Sequence, residues 1–248
     1  MIFKYSDFKN FINYAKKHSD IVSFENWNGS KQIILRHDVD FDIYSAYKLF
    51  LVEKEMAITS TFFIMTTCSY YNPLSVENRK MLTEIANSGF EIGLHFDPTV
   101  YGDVSYDRLS KAADNEANIL SSVIGTQIKT ISLHNPSVHG QYPEFENYTN
   151  AYNKKIFNNE IYMSDSRMDF RTKDPYEFVK RVRESVIQIL LHPMHFSENG
   201  DEYPEIMCKC IQRNMQHIDE NFIVNDTFCR QMNGKKLIEY IQSKVVLQ

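Results

Sequence analysis

Long apolar runs are missing from this sequence. No segment of its 248 residues approaches the roughly 18 consecutive apolar residues of a membrane-spanning helix, so no membrane span is expected. The opening residues, MIFKYSDFKNFINYAKKH, lack an apolar core of about seven residues and a small-residue cleavage site. They do not read as a signal peptide, and a cytoplasmic location is expected. Basic blocks are absent as well. With a net charge of −5, neither nucleic acid nor an anionic membrane is an expected partner. Cysteines are few and scattered, at Cys68, Cys208, Cys210 and Cys229. Helical sequence flanks the one cluster, CKC, so free thiols are expected rather than disulfides or a metal site. Neither G-x-G-x-x-G nor G-x-x-x-x-G-K-[ST] occurs, which removes the usual nucleotide-cradling loops. No internal repeat, low-complexity tract or linker divides the chain, so a single domain over residues 1–248 is expected.

What is present is an ordinary globular composition with a strong rhythm. Apolar residues make up 43% and charged residues 24% of the chain, enough to bury a sizeable core. The 15 Tyr and 17 Phe suit a packed core and sugar-facing grooves alike. Short β-rich apolar runs occur at 32–38, 59–65, 90–96, 128–134, 160–165 and 186–192, with a weaker one at 221–224. Helical spacing lies between them, as in Ile43, Ala46, Tyr47 and Phe50, or in Leu109, Ala112, Ala113, Leu120 and Val123, where Gly125 can stop the helix. Alternation of buried strands with helices implies a parallel sheet. About seven such units over this length predict an α/β fold, a single-domain irregular (β/α)7-type barrel rather than an open doubly wound sheet.

The runs share a second feature: ionisable residues at their carboxyl ends. The first, ILRHDVD, ends in Asp38 and Asp40, the third in His95 and Asp97 and the fourth in His134. The fifth ends in Asp165 and Arg167, and the sixth in His192 followed by His195. In parallel barrels the carboxyl strand ends are where reactive groups converge. Strand residues i and i+2 share a face, so Arg36, Asp38 and Asp40 project together, while His37 turns toward the helical layer as a structural residue. Glu91, Gly93, His95 and Asp97 form a second such set. Two adjacent carboxylates repel unless a cation sits near them. Aspartate plus histidine suits a divalent metal, with zinc expected and other borderline ions also admissible. One carboxylate could then bind metal while its neighbour accepts a proton from water. Asp165 and Arg167 read equally as an ion pair, and His18, His139 and His217 as surface residues.

These motifs resemble the polysaccharide deacetylases of the NodB-homology type, carbohydrate esterase family 4, and their RHDVD-bearing relatives. The resemblance spans roughly residues 30 to 197. RHDVD is similar to the family's first motif, which implies Asp38 as base and Asp40 as metal ligand. SGFEIGLHFDP, residues 88–98, resembles the second, making His95 a ligand. SLHNPS, containing Asn135 and Pro136, and YMSDSRMDF, containing Asp165 and Arg167, take the places of the third and fourth motifs and imply substrate contacts. ILLHPMHF resembles the fifth and makes His192 the general acid. Two positions depart from the pattern. Thr99 stands where the family carries a second metal histidine, and Asn135 where it carries an arginine that orients the base. Geometry offers His134 or Asp97 for the missing ligand and Arg36 for the missing arginine. The implied protein is a metal-dependent hydrolase that removes an acetyl or similar acyl group from an amino sugar or glycan precursor. An amidohydrolase acting on a small amide and an inactive carbohydrate-binding barrel are the alternatives.

Overall fold

In a computed structural model, residues 3–245 are described, and they fall into two compact units, Met1–Gly200 and Asp201–Gln248. The first unit holds helix α1 (Tyr5–Ala15) and the strands β1 (Ile21–Val22) and β2 (Ile33–Val39). Helix α2 (Ile43–Glu55), β3 (Thr61–Ile64), α3 (Val76–Asn87), β4 (Glu91–Phe96) and α4 (Tyr106–Ile124) follow. Then come β5 (Thr130–Leu133), the one-turn helix α5 (Pro136–His139), β6 (Thr149–Asn150), β7 (Tyr162–Ser164), α6 (Pro175–Val179) and β8 (Ile187–Leu190). All strand pairs are parallel. Seven strands form one path, β6-β5-β4-β3-β2-β8-β7, with β1 added beside the start of β2. The sheet curls without closing, because its end strands β6 and β7 are not paired with each other. It is a half-barrel of the (β/α)7 type.

The local chemistry explains the elements. Helix α2 begins where the Asp42 side chain accepts from Ser45 N at 2.6 Å, a cap that satisfies an otherwise orphaned amide. Its Ile43, Ala46, Leu49 and Phe50 are buried against the sheet. Helix α4 ends at Gly125, whose φ of +77° gives the left-handed cap that glycine reaches without strain.

The two faces of β2 have different tasks. Ile33, Leu35 and Val39 join the apolar clusters under the helices. His37 lies on that same face, fully buried. It meets Glu53 Oε1 at 2.7 Å and Leu191 O at 3.0 Å, and Glu53 in turn accepts from Ser60. Both partners of this interior pair are thus hydrogen-bonded, the condition under which buried polar groups are tolerated. The opposite face carries Ile34, Arg36 and Asp38 into the barrel interior. Gly93 leaves room there. A Cβ at Gly93 would fall 2.4 Å from Phe63 Cε1 and 3.2 Å from Thr130 O, so glycine lets the Phe63 ring lie against β4 below His95.

In the second unit the expected strand at 221–224 is not formed. Asn221 and Phe222 end helix α7 (Tyr203–Phe222), and α8 (Asp226–Met232) and α9 (Leu237–Val245) follow. A capping box between Glu202 and Glu205 starts α7, and the helix takes up Asn221 and Phe222 before Ile223 and Val224 leave it in a turn. Asp219 of α7 accepts from Leu237 N at 3.0 and 3.1 Å, tying α9 to it. The barrel unit Met1–Gly200 is followed along the chain by the helical unit Asp201–Gln248. Among the described residues no helix is long and apolar enough to cross a membrane.

Candidate metal and acid-base site

Three residues from the carboxyl ends of three strands meet above the half-barrel. Asp40 follows β2, His95 lies in β4, and His134 follows β5, its amide extending the β4–β5 pairing by donating to Phe96 O at 2.8 Å. Asp40 Oδ1 stands 2.9 Å from His95 Nε2 and 3.4 Å from His134 Nδ1, and the two ring nitrogens are 3.3 Å apart. One ligand atom from each residue lies within 4.8 Å of the others. Asp40 Oδ1 is buried yet has no hydrogen-bond partner. Burial would raise the Asp40 pKa, but His134 and His95 outweigh it and hold the carboxyl well below the usual range.

A buried, ionised oxygen that faces two imidazole nitrogens and makes no well-aligned hydrogen bond is what a cation would satisfy. One carboxylate and two imidazoles suit zinc or a similar divalent ion, so the residues fit the metal that the sequence implies. Asn135 supports this arrangement. Its side-chain amide lies 2.9 Å from His134 Nε2. Turned so that its oxygen accepts the Nε2 proton, it leaves the Nδ1 lone pair facing the cluster, the second support that ligating histidines usually have. Asp97 is placed differently. It caps the turn Pro98–Tyr101 by accepting from Thr99 N at 2.9 Å and does not join the cluster.

Asp38 sits one pleat back. Its Oδ2 accepts from Arg36 Nη2 at 3.1 Å and stands 3.9 Å from His95 Nε2. Ser132 Oγ, on β5, lies 3.3 and 3.4 Å from the two Asp38 oxygens. Arg36 is fully buried, donates also to Tyr152 OH at 2.8 Å, and lies over the Tyr152 ring at 4.7 Å. Nearby Asp38 and Tyr152 outweigh the effect of burial and raise the Arg36 pKa above its ordinary value. A permanent cation is therefore bonded to Asp38 out of water, where such charge-assisted bonds are strongest. Ser132 and Tyr152 were not among the residues that the sequence singled out.

The third component is His192, just past β8. Its Nδ1 meets Asp165 Oδ1 at 2.6 Å and its Nε2 points toward Asp40 Oδ2 at 3.6 Å. Asp165 also accepts from the His192 backbone amide and meets His195 Nδ1 at 2.9 Å. Burial alone would lower the His192 pKa, but the Asp165 charge outweighs it and lifts the imidazole to about 9. The reciprocal effect of His192 and His195 on Asp165 overcomes its burial and takes it down to about 2. The pairing of Asp165 with Arg167 does not form. Asp165 N donates to Leu190 O, continuing the sheet, but Arg167 has a φ of +63°. Strand alternation therefore stops at Asp165, and Arg167 is exposed on the turn. Asp165, His192 and His195 also lie close enough to hold a metal, but both Asp165 oxygens are already engaged with imidazole nitrogens.

A cavity of about 320 Å³ opens above these groups. Asp38, Asp40, His95, His134 and His192 line its floor, and Asn135 and Pro136 line one side. Asp165 stands behind His192, outside the lining, and Arg167 is not part of it. Tyr142, Tyr152, Phe157 and Tyr162 form an aromatic wall, with Phe157 packed edge-to-face on Tyr152 and Tyr162 at 4.7 Å each.

No protein-family model matches the sequence, and no curated protein matches it. Among solved structures, the chitin deacetylase of the fungal pathogen Colletotrichum lindemuthianum is 11% identical, with a TM-score of 0.49 over 75% of this chain and 83% of that one. A family 4 carbohydrate esterase from Streptomyces lividans, in complex with acetate, is 13% identical with a TM-score of 0.44 over 67% and 80% of the two chains. A CE4 family pseudoenzyme from Bacillus anthracis is 14% identical with a TM-score of 0.45 over 74% of this chain. This chain covers 62% of that pseudoenzyme's length. Likenesses this distant carry no argument about chemistry, which rests on the residues themselves.

Proposed function

We propose that the chain is a metal-dependent deacetylase of the NodB-homology type, acting on an N-acylated amino sugar of the kind found in glycan precursors. One observation carries this reading: the orphaned buried Asp40 oxygen between His95 and His134, with an arginine-held carboxylate on one side and a carboxylate-held imidazole on the other. Asp40, His95 and His134 would hold a divalent ion, zinc by donor set. When bound, such an ion polarises an acyl carbonyl and makes a neighbouring water more acidic.

The remaining chemistry belongs to side chains. Asp38 accepts the proton of the attacking water, and the bond from Arg36 aims its carboxylate. His192 donates a proton to the departing amine nitrogen. Asp165, out of contact with the substrate, fixes the ring of His192 and keeps it charged. The cavity volume lies at the small end of the range for ligand pockets and suits a single acylated sugar.

Acetate release from N-acetylated sugars tests the reading. Activity is expected to vanish on chelation and return with zinc; a zinc-loaded protein inert on every such sugar would contradict it. The pH profile of the same assay probes Asp165. His192 must be protonated to act as acid, so the rate is expected to hold below, and fall as pH rises through, about 9. Asp165→Asn removes the charge that lifts His192. The alkaline limb should then move to lower pH, toward the ordinary histidine range near 6.5. A limb that does not move would show that Asp165 does not set the charge of His192.

A further inference from the structure

The mouth of the cavity is unlike its floor. Arg171 and Lys173 line it, and the only carboxylates in the lining are Asp38 and Asp40 at the bottom. Among the described residues, neither cation has a carboxylate partner. The Arg171 guanidinium makes no hydrogen bond or ion pair, and Lys173 Nζ donates only to the carbonyls of Asn159 at 2.8 Å and Tyr162 at 2.7 Å. Around Lys173 the charges of Arg181 and Glu160 act in opposite senses, and its ammonium also lies over the Phe178 ring at 5.3 Å, so Arg171 is the cation left without any partner.

The backbone that presents them is strained. Arg167, Met168, Arg171 and Thr172 have φ values of +63°, +54°, +51° and +70°. Non-glycine residues held there are strained, and such strain gathers at ligand clamps. The segment is pinned in that shape. Asp169 Oδ1 accepts from Arg171 N at 3.0 Å, and the two Lys173 bonds tie it to the start of β7. The result is a pinned backbone from which an unpartnered guanidinium lines a cavity whose wall is aromatic. Guanidinium and ammonium groups match phosphate and carboxylate oxygens, while the Tyr142 and Phe157 rings offer apolar faces to a sugar.

We infer that the substrate is an acidic acylamino sugar, its amide on the floor among Asp38, Asp40 and His192 and its phosphate or carboxylate at the mouth against Arg171 and Lys173. This rests on the deacetylase reading and adds the substrate class to it.

The test compares kcat/KM of the zinc-loaded protein for N-acetylglucosamine, N-acetylglucosamine 1-phosphate and N-acetylmuramic acid. At least one acidic sugar should exceed the neutral one by about tenfold or more, the worth of one charge-assisted hydrogen bond. Which acid is preferred separates phosphate from carboxylate recognition. In Arg171→Gln the ratio should fall toward one, and Arg171→Lys should keep part of it. Added salt should lower the wild-type ratio, since the cations are exposed. Equal rates on all three sugars would overturn the inference, as would an Arg171→Gln effect equal on acidic and neutral sugars, which marks a structural role. Should no sugar be hydrolysed, the deacetylase reading fails, and calorimetry with N-acetylglucosamine 1-phosphate still decides this point. Binding that weakens in Arg171→Gln supports the anion subsite; absence of wild-type binding rejects it.

Discussion

Asp38→Asn is expected to keep its metal and lose turnover by about 10²–10⁴-fold, the usual worth of a general base. The substitution is nearly isosteric and removes the proton acceptor. Its amide oxygen can still accept from Arg36 Nη2, the bond that Asp38 Oδ2 makes at 3.1 Å, so Arg36 keeps a partner. That matters because breaking a buried pair outright typically costs about 3–5 kcal/mol. Circular dichroism before the assay confirms that the loss is chemical. The assignment is specific to position. Asp38 is 3% exposed and held by Arg36 and Ser132, while Asp40 Oδ1 faces the ring nitrogens of His95 and His134. A metal-free Asp38→Asn beside a fully loaded Asp40→Asn would reverse the two roles.

His134→Ala is expected to weaken metal binding by more than about 100-fold, beyond the 10–100-fold typical of residues that only support a ligand. The measurement is competition with a chelating indicator of known affinity. His134 is the informative member of the cluster, because Thr99 holds the place where the family resemblance puts a second histidine. Thr99 Oγ1 is occupied with Asp97 at 2.6 Å, and His134 Nδ1 lies 3.4 Å from Asp40 Oδ1 instead. Unchanged affinity in this variant would remove His134 from the site and leave Asp40 and His95 as its only two candidate ligands there.

Much of this site was legible because strand chemistry is periodic. Side chains alternate along a strand, and parallel strands place their carboxyl ends together, so RHDVD and the histidines after the later runs could be assigned to one end without knowing their neighbours. Contacts made across the chain could not be read that way. Arg36 reaches Tyr152 across 116 positions, and Asp38 reaches Ser132 across 94; no local pattern marks either partner. Arg167 failed for the opposite reason, since the extended backbone that alternation assumes ends at Asp165. The same left-handed backbone puts Arg171 and Lys173 at the cavity mouth, where the sequence gives no periodic signal. The run at 221–224 failed because a short apolar segment reads equally as strand or helix end until the capping box of α7 is considered.

We propose Asp40, His95 and His134 as the metal site. Crystals grown with zinc, measured on both sides of the zinc absorption edge, test it directly. The expected result is one strong anomalous peak within about 2.0–2.2 Å of an Asp40 carboxylate oxygen and a ring nitrogen of each histidine. A peak held by Asp165, His192 and His195 instead, or no peak with zinc in excess, would contradict it.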